Sequence, residues 1–330
     1  MPALPVLFVS TPFDRSFVRD GSRLAIWDLA RALPAHDVQP TIAIGSVFPT
    51  LDGVQQIKVR RKSELLYQAA KFGGLICTFF SPSLATIAPL TALRAAKKVC
   101  VVLPSMPQNS LVARAIRPDV VTSQPALERY PHARLIPLPF DSPDVEIVEK
   151  TAHPYVLYVG DFEFGDGIFA MLCAFESSCA HLHLAIASRM KTERSAEIRA
   201  SIEDRVAMSP KLAGRVTVLG TVNDAQSWIA SARAVVLYQT HTHAKLDHPR
   251  SLLEALYFKR SVIVGPAPSL KDLVPASGGR FVRNESELRD ALRAADAGDV
   301  ALTDASQILA DRAPDRVAAQ FAQLFRSIGC

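Results

Sequence analysis

Along the first 140 residues, short apolar runs alternate with stretches of helical period. PVLFVS (5–10), PTIAIG (40–45), GLICTFF (74–80), KVCVVLP (98–104), DVVTS (119–123) and ARLIPLP (133–139) have strand length. Near-continuous apolar runs of this kind mark strands buried on both faces of a parallel sheet. After the first of them, Leu24, Trp27, Leu29, Ala30 and Leu33 recur at helical spacing until Pro34 stops the pattern. A further helical segment is expected around 84–96. Parallel strands need crossover connections, so the pattern predicts one sheet with helices on both faces.

DSPDVEIVEKTAHP (141–154) is polar, proline-flanked and without period, and reads as a linker. The alternation then restarts. Strands are expected at 155–160, 182–188, 215–220, 234–239, 261–265 and 279–282, with helices at 167–179, 193–207, 224–231 and 251–258. The expected architecture is α/β: two doubly wound Rossmann-like domains, 1–148 and 149–330, facing a cleft. In such sheets ligands bind at the carboxyl ends of the strands. The closing segment DRVAAQFAQLFRSI (315–328) carries Val317, Phe321, Leu324 and Phe325 on one side and reads as a terminal packing helix.

Composition narrows the class. Hydrophobic residues make up 49% and charged residues 21% of the chain, so a large core is available. No apolar run approaches the roughly 20 residues that span a bilayer, and the start lacks the pattern of a secretory signal. The expectation is a cytoplasmic protein, peripheral at most to the inner face of a membrane. Cys77, Cys100, Cys173, Cys179 and Cys330 are scattered, without a Cys-x-x-Cys pair, and read as reduced thiols. The net charge of +5 lies entirely in residues 1–150, which hold 17 Lys/Arg and 12 Asp/Glu. Residues 53–118 hold ten basic residues and one acid, Glu64. Such a field concentrates anions, although a solvated face is the bland alternative. Nucleic acid is not expected as the partner, because no aromatic stacking platform accompanies the charge.

Several stretches, taken in order, resemble one family. They are FVSTPF with DGSRLAIWDLARAL, PDVVTSQPALERYPHARLIPLPFD, YVGDFEFGDGIFAMLCAF, HLHLAIAS, RVTVLGTVNDAQSWIASARAVVLYQT and HPRSLLEALYFKRSVIVGP. The chain resembles GT-B-fold glycosyltransferases, specifically the retaining family 4 within group 1. The resemblance implies an amino-terminal acceptor domain and a carboxy-terminal domain that binds a UDP- or GDP-sugar. It explains why a carboxylate, Glu254, stands inside the apolar run SLLEALY. In the family, a helix amino terminus faces the nucleotide diphosphate, and a glutamate one turn later accepts hydrogen bonds from ribose hydroxyls. Glu254 matches that position. A Glu254 paired with Arg250 or Lys259 on a half-exposed helix face is the alternative.

The resemblance assigns further candidates and meets three departures. An earlier glutamate, eight positions before Glu254, is replaced by Leu246; Asp247 stands next to it as a substitute or as an inert surface acid. The donor loop Gly160–Gly167 is acidic where the family carries Arg and Lys. Lys245 and Arg250, or Arg189 and Lys191, are then the cations left to neutralise a leaving diphosphate, unless a divalent metal bridges the acids. Asp247, Lys245 and Arg250 are the catalytic candidates. Ser251, Gly160, Asp161, Arg189, Thr221, Val222 and His243 join Glu254 on the donor side. His241, His243 and His248 form no recognised metal pattern, and no metal site is predicted. The family's sugar-contacting histidine is missing after VCVVLP, where Ser105, Met106 and Gln108 stand. Asp20, Gly21, Ser105 and Gln108 are the acceptor-side candidates.

The expected activity is transfer of a sugar to an acceptor hydroxyl with retention, in cell-envelope or exopolysaccharide synthesis. The acceptor would be a glycan or a lipid-linked molecule, with peripheral membrane contact through 53–118. A catalytically silent GT-B protein, acting as partner or sugar-nucleotide sensor, is the alternative that the departures motivate. An epimerase on the same fold has no dedicated residues to point to.

Overall fold

The computed structural model describes residues 2–13, 21–45, 53–79, 84–107, 109–162, 167–190, 192–242 and 246–329. Two compact units result. The first comprises Met1–Asp141, His243–Pro249 and Ala310–Cys330, and the second Ser142–Thr242 and Arg250–Leu309.

The first unit holds a seven-stranded parallel sheet of β1 (Leu4–Phe13), β2 (Val38–Ile44), β3 (Gln55–Lys58), β4 (Leu75–Phe79), β5 (Val99–Leu103), β6 (Val120–Val121) and β7 (Arg134–Leu135). Its order is β3-β2-β1-β4-β5-β6-β7, so the winding reverses between β1 and β4. Every residue of β4 and β5 is buried, as expected for strands covered on both faces. On one face, α1 (Gly21–Ala32) packs through Ile26, Leu29 and Ala30 over Val6, Phe8 and Cys77. On the other lie α2 (Lys62–Lys71), α3 (Leu84–Ala96) and α5 (Gln124–Arg129), through Leu65, Ala69, Leu90 and Ala126. The short α4 (Ser110–Ala115) joins this layer, and Ile116 at its end enters the same core. Neither β3 nor α2, α4 and α5 is apparent from periodicity, because each is short or exposes most of its residues.

The second unit holds six parallel strands: β8 (Tyr155–Val159), β9 (His183–Ala187), β10 (Val216–Gly220), β11 (Ala234–Gln239), β12 (Ser261–Pro266) and β13 (Gly279–Phe281). They run in the order β10-β9-β8-β11-β12-β13. This is the doubly wound order with its reversal between β8 and β11. The helices are α6 (Gly167–Ser178), α7 (Glu193–Met208), α8 (Ala225–Ser231), α9 (Arg250–Tyr257), α10 (Glu285–Asp296) and α11 (Ser306–Ala310). At the head of α6, a Cβ on Gly167 would stand 1.7 Å from the Tyr238 carbonyl oxygen. Only glycine lets that helix begin so close to β11.

Three expectations are corrected. The boundary at 148/149 gives way to a chain that leaves the first unit after Asp141 and returns to it twice. The terminal helix α12 (Pro314–Gly329) belongs to the first unit, because Val317, Phe321 and Phe325 complete the apolar layer over Phe8 and Cys77. Finally, the run 133–139 shortens to two strand residues. Pro137 and Pro139 lack the N–H that would continue the ladder.

Candidate functional site

The carboxyl ends of β8 and β9 bring several of the candidate residues of the second unit together. Register pairs Val159 with Ala187, so the residues that follow each strand meet. The Gly160 N–H donates to the Ala187 carbonyl at 3.2 Å. One residue on, Arg189 Nε lies 3.5 Å from Asp161 Oδ1, and Asp161 is buried. The acid expected to repel a diphosphate is therefore paired with Arg189, from the loop after the neighbouring strand β9. Between them, the Ser188 hydroxyl is buried and has no hydrogen-bond partner among the described residues. Beneath the loop the Tyr158 phenol is fully enclosed, and burial drives its pKa far above the ordinary value despite the Gln239 amide beside it.

The loop after β10 joins this edge. The Ser188 N–H donates to the Gly220 carbonyl at 3.0 Å, and the Met190 N–H to Thr221 Oγ1 at 3.4 Å. Thr221 is otherwise exposed and Val222 half-buried.

Helix α9 carries the carboxylate. Leu252, Leu253, Ala255 and Leu256 are buried around Glu254, which is itself only 6% exposed. Glu254 Oε1 accepts from Gln226 Nε2 of α8 at 3.2 Å and lies 3.7 Å from Arg250 Nε, one turn earlier. Burial raises the Glu254 pKa, while the Arg250 guanidinium and the Gln226 amide oppose the rise. Of the alternative reading, the Arg250 partner is found, but the face is buried rather than half-exposed. Lys259 is exposed and left-handed (φ 57°) where the helix ends. Ser251 is half-buried beside Arg250 at the helix start. Gln226 carries no signal in the sequence, because only the packing of α8 beside α9 brings its amide to the acid.

The other described candidates lie in the first unit. Asp247, one reading of which made it a surface acid, is completely buried. Its N–H donates to the Pro104 carbonyl at 3.0 Å, and its Oδ2 accepts from Ser123 Oγ at 2.5 Å. His248 is also buried, with Nδ1 3.1 Å from Arg312 Nη2. That nitrogen accepts from a guanidinium, so it is engaged in structure. Ser105 is fully buried at the end of β5, its hydroxyl enclosed rather than presented at a surface. Gly21 is the first residue of α1. Asp20, Gln108, Lys191, His243, Lys245 and loop residues 163–166 lie outside the described residues. Among the described residues, no three His, Cys, Asp or Glu side chains converge as a metal cluster.

Residues 153–296 match the family model for glycosyl transferases group 1. They hold Gly160, Asp161, Arg189, Arg250 and Glu254. No curated protein matches the chain in sequence. Solved structures resemble it over nearly its full length. Sucrose-phosphate synthase from Thermosynechococcus elongatus has a TM-score of 0.72 and 17% identity, over 98% of this chain and 99% of that one. Anabaena HepE, solved in complex with UDP and glucose, has a TM-score of 0.65 and 12% identity, over 99% and 97%. The lipopolysaccharide outer core galactosyltransferase WaaB, in its apo form, has a TM-score of 0.66 and 11% identity, over 98% and 99%. The fold shared with these proteins is GT-B, two parallel-sheet α/β domains.

Proposed function

We propose that the protein is a glycosyltransferase that moves a sugar from a UDP- or GDP-sugar to an acceptor hydroxyl with retention, in cell-envelope or exopolysaccharide synthesis. The observation that carries this reading is the buried Glu254 one turn behind Arg250, within the segment that matches the family model. A carboxylate held in an apolar helix face by one amide and one guanidinium keeps acceptor capacity that two ribose hydroxyls can fill. Ser188, buried without a partner at the strand ends, is a second polar group whose desolvation a ligand would offset. The complex of HepE with UDP and glucose supports the donor class.

In this reading the donor nucleotide lies along the carboxyl edge of the second sheet. Glu254 grips the ribose, and Ser251, Thr221, Val222 and Gly160 line the donor. Arg189 screens Asp161, and the α6 amino terminus offers free N–H groups to phosphate. Arg250 stabilises the leaving diphosphate. Retaining transfer asks little covalent chemistry of the protein; it asks for that stabilisation and for a held acceptor hydroxyl. Asp247 acts within the first unit, where Ser123 and the Pro104 carbonyl hold it. Asp20, Gly21 and Gln108 belong to the acceptor side, where a glycan or lipid-linked molecule is held, whereas the enclosed Ser105 hydroxyl leaves that set. The reading assigns no metal.

Calorimetry with UDP and GDP, with and without divalent cations, tests the donor site. Micromolar or tighter binding of one of them is expected, and Glu254→Ala is expected to weaken it by about 1–3 kcal/mol. Unchanged affinity removes Glu254 from the site. Nuclear magnetic resonance of the product anomer tests retention. Nucleotide binding without transfer to any acceptor would instead identify a sugar-nucleotide sensor.

A further inference from the structure

We infer that the helical layer α2–α4 of the first unit is a membrane-contact surface that recognises anionic lipid headgroups. The inference does not rest on sugar transfer. Among its described side chains, α2 buries only Leu65 and Ala69 against the sheet. Leu66 is 44% and Tyr67 55% exposed, two large apolar side chains side by side on the outer face. A helix of a water-soluble layer would ordinarily turn polar residues outward there. Lys71 Nζ stands 4.3 Å over the Tyr67 ring, so the aromatic carries a cation at its side. In the same layer the described side chains that α3 exposes are Ala88, Pro89, Thr91, Ala92, Ala95 and Ala96, none of them charged. Leu111 of α4 is 63% exposed.

Cations flank these apolar positions along the chain. Arg60 and Arg61 precede α2, and Arg114 and Arg117 lie on and just after α4; all four are exposed and make no ion pair among the described residues. The acids of the layer are engaged. The Glu64 carboxylate accepts from the Arg60 backbone N–H at 2.6 Å, and Asp119 pairs with Arg94 at 2.8 Å. Exposed leucine and tyrosine between unpaired arginines suit the boundary of headgroups and acyl chains, where apolar side chains enter and cations meet phosphate. Nucleic acid would call for several stacking rings, and the layer's outer face exposes one, Tyr67.

Flotation of the full chain with vesicles tests the surface. One set is phosphatidylcholine alone, and the other contains about one third phosphatidylglycerol, each at low and at physiological salt. Binding to the anionic set, weakened by salt, is expected. Arg60→Gln with Arg61→Gln should lower partition about fivefold per charge, roughly 25-fold together. Leu66→Ser with Tyr67→Ser should lower it by at least about tenfold at unchanged charge. All four positions are exposed, so circular dichroism and melting temperature should match the parent. Lys211→Glu with Lys271→Glu, exposed on the second unit, serves as the control and should leave partition unchanged. Absence of binding to anionic vesicles at low salt overturns the inference, as does an equal loss in the control. Vesicle binding that ignores the Leu66/Tyr67 change and is competed by an oligonucleotide also overturns it, in favour of a general polyanion surface.

Discussion

Glu254 was legible in the sequence as an anomaly, a carboxylate inside SLLEALY, but its environment was not. The structure places Gln226 and Arg250 against it, and neither removes the cost of burial. Because burial raises its pKa, the folded state holds the proton more tightly than the unfolded chain does. Stability from this group is therefore present below the unfolded glutamate value and is lost as pH rises through the raised folded value. Glu254→Gln removes that loss. The expected outcome is a higher melting temperature than the parent at pH 7, a gap that closes toward pH 4, and weaker nucleotide binding throughout. A lower melting temperature at pH 7 would mean that the Arg250 contact outweighs desolvation. Asp161 teaches the complementary lesson. As a sequence it looked like repulsion, yet its cation stands two residues beyond the neighbouring strand, and only the register of β8 on β9 brings them together.

At the scale of elements, long buried strands were readable because burial on both faces leaves an unbroken apolar run. Elements held by polar contacts were not. The turn between α6 and β9 is an example. Asp296, at the end of α10, accepts from the N–H groups of Ala180, His181 and Leu182 at 2.9, 3.0 and 2.7 Å. Burial acts to raise its pKa, but these backbone donors together hold it below the usual carboxylate value. The sign here is the reverse of Glu254: the stabilisation is present above the unfolded value and is lost as pH falls through the depressed one. Asp296→Asn is expected to cost about 1–2 kcal/mol at pH 7 in chemical denaturation, with the difference shrinking below about pH 4. A constant difference across that range would exclude a role for the charge. Nothing in AHLHL announces this contact, because its acid stands more than a hundred residues away.

At the scale of the molecule, the last helix decides how the chain is divided. Phe321 and Phe325 are buried in the core of the first unit, with ring centroids 5.6 Å apart, and Phe325 stands 6.4 Å from Phe8 of the first strand. Phe321→Ala should cost about 3–5 kcal/mol. Hydrogen exchange should locate that loss in 21–32 and 75–79, with 234–239 and 261–266 keeping their protection. Loss confined to the second unit would refute the assignment. Sequence alone determined two parallel α/β sheets, the long buried strands within them and the anomalous acid of α9, since each is written in local periodicity and hydropathy. It also marked α12 as a one-sided helix. Which sheet that side would cover, which cation would answer Asp161, and that Asp247 would be buried against Ser123 were decided by tertiary structure. An apolar stripe or a carboxylate specifies the kind of partner it needs, and only the packed chain specifies which one it meets.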